Sequence, residues 1–110
     1  MSKMNLVKGD TGPTVDVALK YADTGAAIDV SNAGDIVRFY MRPVGDPVLK
    51  ATAVCSKPNG GADGLVRIGW AAADLDTAGK FVGELEITFN SGTIQTIYEK
   101  IHLNIREPFG

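Results

Sequence analysis

The stretch Lys80-Phe-Val-Gly-Glu-Leu-Glu-Ile-Thr-Phe-Asn90 decides the fold class. Phe81, Gly83, Leu85, Ile87 and Phe89 fall on one side, and Val82, Glu84, Glu86 and Thr88 on the other. Successive side chains of extended backbone point to opposite faces, so this alternation predicts a strand with one buried face. Asn90-Ser91-Gly92 follows as a tight hairpin signal, and a further strand starts near Thr93. A last strand is expected over Ile101–Ile105, where His102 and Asn104 face outward.

The same signature recurs towards the N-terminus. Thr14–Lys20 alternates with Val15, Val17 and Leu19 on one face, and Asp35–Arg42 with Val37, Phe39 and Met41 inward. Val48–Ser56 reads as another strand, and Leu65–Trp70 places Val66, Ile68 and Trp70 together. Ile28 and Val30 drop into the core from an irregular connection after the turn Ala22–Gly25. Pro43 through Pro47 makes a turn, and Lys57-Pro58-Asn59-Gly60-Gly61-Ala62-Asp63-Gly64 is a flexible glycine-rich loop. Ala71–Thr77 breaks the alternation and suits a single helical or 3₁₀ turn closed by Gly79. Asn5–Lys8 is a short edge strand before the turn signal at Gly9–Pro13.

About seven to eight short antiparallel strands with regular turns predict an all-β, immunoglobulin-like sandwich, with a small β-barrel as the alternative. The 110 residues fit a single domain spanning 1–110, with arms at 1–8 and 106–110 that order on assembly. Aromatic residues make up 7% of the chain, so Val, Ile, Leu and Ala must supply most of the core.

Charge and composition narrow the function. Eleven basic residues against 13 acidic ones give a net charge of −2, without any Lys or Arg run, so nucleic acid is not an expected partner. No segment approaches the roughly 20 apolar residues of a membrane helix, and the start lacks a signal-peptide apolar stretch. A lone cysteine, Cys55, cannot form an internal disulfide. The expectation is a chain used in soluble form, in a reducing cytoplasm or in a particle assembled there.

No motif carries catalytic, cofactor or metal chemistry. His102 and Cys55 lie on different strands with nothing local to activate the thiol. Asp74-x-Asp76 lacks the glycine and distal glutamate of a calcium loop. Asn59–Gly64 matches a calcium-binding nonapeptide only once, and such repeats work in stacks. Glu84 and Glu86 share a strand face that a solvated surface explains. Trp70 is expected as a core anchor. Arg38, Tyr40 and Arg42 share an outward face, and Tyr and Arg are enriched at interfaces, which makes these three the candidate interaction surface.

The succession Val37-Arg-Phe-Tyr-Met-Arg42, Gly64-Leu-Val-Arg-Ile-Gly-Trp70, Ala73-Asp74-Leu75, Ala78-Gly79-Lys80-Phe81, Gly83-Glu-Leu-Glu-Ile-Thr-Phe89 and Asn90-Ser-Gly92 resembles a family of small phage structural domains. It is similar to the N-terminal immunoglobulin-like domain of tailed-phage upper baseplate proteins over roughly Thr11 to Ile105, with Ile97-Tyr98 standing where family members often carry a proline. The resemblance implies a non-enzymatic virion protein of the tail, baseplate or connector, present in multiple copies or as a symmetric homo-oligomer and bound to other virion proteins. A capsid decoration protein and a free carbohydrate- or ligand-binding β module are the alternatives.

Overall fold

A computed structural model describes residues 2–71 and 73–109, and among them every regular element is a strand. In chain order these are β1 (Ser2–Val7), β2 (Val15–Ala18), β3 (Ile36–Pro43), β4 (Ala51–Val54), β5 (Leu65–Ile68), β6 (Gly79–Thr88), β7 (Ile94–Thr96) and β8 (Ile101–Arg106). They form two layers. The large sheet runs β1-β8-β6-β3-β4, with β7 also pairing with β6, and the small one is β2-β5.

This is an immunoglobulin-like β-sandwich, with the central β6–β3 pair carrying the longest register, from Ile36↔Thr88 to Pro43↔Phe81. The chain changes layers at two adjacent residues. The Cys55 N–H bonds to the Val37 carbonyl in the large sheet, and the Ser56 N–H bonds to the Arg67 carbonyl in the small one.

Inward positions of both sheets fuse into one core. Val37, Phe39, Met41, Leu85 and Ile87 from the large sheet meet Val66 and Ile68 from the small one, all essentially excluded from water. Each such aliphatic side chain contributes about 1.5–3 kcal/mol relative to staying exposed. Ile28 and Val30 are fully buried from an irregular connection, as expected. Trp70 is also buried, its ring edge-on to Phe39 at 5.8 Å and 81°. Its indole N–H meets no acceptor among the described residues.

Three expectations need correction. Residues 2–7 are not an arm but a strand, and its pairing with β8 is parallel, from Ser2↔Ile101 to Val7↔Arg106, so the sheet is mixed. Leu6 is buried in the core, which fixes this strand hydrophobically as well as through backbone bonds. At the other end β8 extends through Arg106, Glu107–Phe109 is exposed, and Gly110 lies outside the described residues.

The second correction concerns Val48–Ser56, of which Ala51–Val54 forms the strand and Ser56 a separate bridge to Arg67; Val48 and Leu49 lie exposed before them. The third concerns the loop from Lys57 to Gly64, which is stitched down and not free. The Val30 N–H bonds to the Gly61 carbonyl, and the Leu19 N–H to the Gly64 carbonyl. Both glycines have positive φ, and a Cβ on either would lie 2.7 Å from a backbone carbonyl oxygen of that neighbouring segment. Close backbone approach, not ligand binding, explains these glycines. At Ala71–Thr77 the described residues form turns without a helix, and Ala72 lies outside them.

Candidate functional site

Five of the chain's 13 acidic residues hold turns or loops. Asp29, Asp46 and Asp63 each accept the backbone N–H two residues on, from Ser31, Val48 and Leu65. Asp74 accepts from the Ala71 N–H three residues back. Asp35, the one buried charged side chain among the described residues, takes the Asn32 N–H at 3.2 Å and the Asn90 N–H at 2.8 Å, tying two loops together.

Asp16 on β2 receives a forked pair of bonds from Arg67 on β5, at 2.8 and 3.1 Å, and that guanidinium holds its carboxyl below the usual range. Asp76 pairs with Lys50 and is held low in the same way. Asp74-x-Asp76 is therefore a turn cap followed by a surface ion pair. Among the described residues no three His, Cys, Asp or Glu side chains gather as a metal-ligand set.

Cys55 and His102 are not brought together. The thiol is buried in the core, where burial pushes its pKa up to about 11, and low reactivity is the consequence. His102 lies half-buried on the opposite, outward face of the large sheet.

That outward face holds the candidate interaction residues. Arg38 stands opposite Glu86, Tyr40 opposite Glu84, and Arg42 opposite Val82. Tyr40 donates its hydroxyl to Glu86 Oε1 at 3.2 Å, and Arg38 donates to Thr88 Oγ1 at 3.3 Å. Partial burial, then the Glu86 bond and nearby carboxylates, raise the Tyr40 phenol pKa. Arg38 and Tyr40 are thus half-buried and partnered within the sheet, whereas Arg42 is exposed and makes no ion pair among the described residues.

Register extends this face across four strands. Arg42 on β3 is level with Val82 on β6, Val82 with His102 on β8, and His102 with Lys3 on β1. Two shallow depressions of about 470 and 500 Å³ lie along this row, both bounded by Val44 and His102. Arg42 and Lys100 line the first, Lys3 and Lys80 the second.

The large sheet ends at β4, whose outer edge is unpaired among the described residues. Because Cys55 directs its N–H at β3, alternation turns the backbone groups of Thr52 and Val54 outward. Val48, Leu49 and Val54, with exposures of 69, 50 and 65%, lie beside that edge. Sequence reasoning missed this edge because β-branched residues in an alternating run read as buried, and it missed Lys3, Lys80 and Lys100 because only the β1–β8–β6 pairing gathers them.

Between β7 and β8 the pairing with β6 is interrupted. The β7–β6 register from Thr88↔Ile94 is offset by two residues from the β8–β6 register that starts at Gly83↔Ile101. The extra residues form a bulge that leaves Tyr98 90% exposed. Tyr98 and Tyr21 flank a cleft of about 390 Å³ there.

No protein-family model and no curated protein sequence matches the chain. Among solved structures, it is similar to the crystal structure of CopC from Methylosinus trichosporium OB3b, with a TM-score of 0.58 and 8% identity over 100% of this chain and 89% of that one. At that identity the likeness establishes the β-sandwich fold that the strand order describes, and the fold alone.

Proposed function

We propose that this chain is a non-enzymatic structural subunit of a bacteriophage particle, located in the tail, baseplate or connector and present in several copies. The observation that supports it best is the unpaired β4 edge with Val48, Leu49 and Val54 exposed beside it. An open edge offers main-chain hydrogen bonds, and flanking apolar side chains supply the area that makes strand addition stable. Symmetric repetition then turns a weak contact into lasting attachment. The phage assignment itself comes from the sequence resemblance over Thr11–Ile105.

Two measurements test this reading. Mass spectrometry of purified particles should find the protein, and immunogold labelling should place it at the tail tip or neck; label over the head would move it to capsid decoration. Absence from intact and dissociated particles would end the proposal. The edge is tested by Val54→Lys, which should lower incorporation while leaving the isolated domain folded, since this side chain is already in water.

Tyr21 and Tyr98 beside the cleft favour a second reading, a free carbohydrate-binding module, because exposed aromatic faces can receive sugar rings. Calorimetry against a glycan panel decides it: specific heat lost in Tyr98→Ala supports it, and no heat with any glycan removes it.

A further inference from the structure

We infer that the groove across β3, β6, β8 and β1 takes an extended acidic peptide segment of a neighbouring protein. The inference rests on the proposed assembly role only for the occupant's being a protein. It starts from an imbalance of charge. Lys8, Lys50 and Arg67 each have a carboxylate partner, at Glu107, Asp76 and Asp16. Arg42, Lys3, Lys80 and Lys100, gathered along one groove, have none among the described residues. Of the carboxylates beside the groove, Asp46 already accepts the Val48 N–H, and Glu84, which lines an adjoining depression with Arg42 and Lys100, is outnumbered by the four cations. A chain with a net charge of −2 thus carries a local excess of positive charge along this groove.

Dimensions and lining identify the occupant. From β3 to β1 there are three strand spacings, about 14 Å in all. An extended peptide rises about 3.3 Å per residue, so four to five residues cross the groove and side chains on one face recur about every 6.6 Å. Acidic residues at alternate positions would therefore meet Arg42 and Lys3 at the two ends of the row, with Lys80 and Lys100 two residues to either side of its middle. Val44, 61% exposed, and Val82 offer apolar contact to the positions between. Single-stranded nucleic acid would need aromatic platforms for its bases. Phe81, the aromatic residue in the second depression, is turned into the core and is 3% exposed.

The test uses the whole chain and a fluorescein-labelled peptide of alternating Glu and Val, about twelve residues long to exceed the groove. Anisotropy titration should show binding that weakens about ten-fold or more when salt is raised from about 20 to about 200 mM, as screening predicts. Arg42→Glu and Lys80→Glu should each weaken it by about ten-fold through like-charge repulsion. Lys20→Glu makes the same change in net charge on an exposed residue bridged to Ala27, outside the groove, and should leave binding within about two-fold. Unchanged thermal melting of each variant keeps folding out of the comparison.

No binding of the Glu-Val peptide, equal binding by the groove variants, or tighter binding of a single-stranded oligonucleotide of matched charge would each overturn the inference. Detection of the protein in purified particles alongside any of those results would leave the assembly role standing and remove only the acidic partner.

Discussion

Replacing Gly83 with alanine would set a methyl carbon 2.2 Å from Phe39 Cε1 and 2.3 Å from Cζ. Gly83 faces inward on β6, two register positions along from the Phe39↔Leu85 pair, and the Phe39 ring fills the space a side chain would occupy. The ring cannot yield easily, because Phe39 is 1% exposed and Trp70 stands against it at 5.8 Å. Overpacking of this kind costs about 1–3 kcal/mol. Displacing the ring from Trp70 removes a further 0.5–1.5 kcal/mol or so of edge-to-face contact. We therefore expect Gly83→Ala to destabilise the domain by about 2–4 kcal/mol, a large share of the roughly 5–15 kcal/mol typical of such domains. Urea unfolding followed through the single tryptophan measures it. Phe39→Leu alone should cost about 1–2 kcal/mol, and in the double variant the two losses should fall short of their sum by at least about 1 kcal/mol. An alanine variant within about 0.5 kcal/mol of the parent, or strict additivity in the double variant, would refute the packing argument.

The remaining expectations concern polar groups and pH. Asp35→Ala leaves the Asn32 and Asn90 amides without their acceptor, which should cost about 2–4 kcal/mol by denaturant titration, with Asp35→Asn recovering part of it. Cys55 should resist Ellman's reagent in the folded chain at pH 8 and react on unfolding, since burial raises the thiol to about 11 from 9.0. Its raised folded pKa favours the native state fully below about pH 9, and that contribution is lost as pH rises towards about 11; thermal melts of Cys55→Ala should lack this alkaline loss if the thiol causes it. The carboxyls of Asp16, Asp29, Asp63 and Asp76 are held low by Arg67, by Ser31, by Asn59 with Leu65, and by Lys50 with Thr77. Their contribution is present above the unfolded carboxylate range and lost as pH falls below about 4, so melts should decline only there; a decline centred near pH 6 would point elsewhere.

Much of the inner architecture was legible in the residues. Alternation placed Val37, Phe39 and Met41 and then Phe81, Leu85 and Ile87 inward, and the structure buries all six. The outward set Arg38, Tyr40 and Arg42 was equally readable, yet its three members differ in availability. Arg38 and Tyr40 are hydrogen-bonded to β6, because that strand sets Thr88 and Glu86 within reach, whereas Arg42 faces Val82 and has no ion pair among the described residues. Period two gives the face of a residue but not its cross-strand neighbour, and the neighbour decides whether a charge is used up.

The sequence by itself determined the fold class, the strand faces, the core residues and the lack of a recognisable catalytic or metal motif, because these follow from local periodicity, turn chemistry and residue type. Tertiary structure alone decided that residues 2–7 pair in parallel with β8, that β4 ends the large sheet with an open edge, and that Lys3, Arg42, Lys80 and Lys100 share a groove. These depend on which strands become neighbours across as many as about a hundred residues of chain. That choice is made by burial of whole faces and closure of the sheet, for which no short stretch of sequence carries a signal.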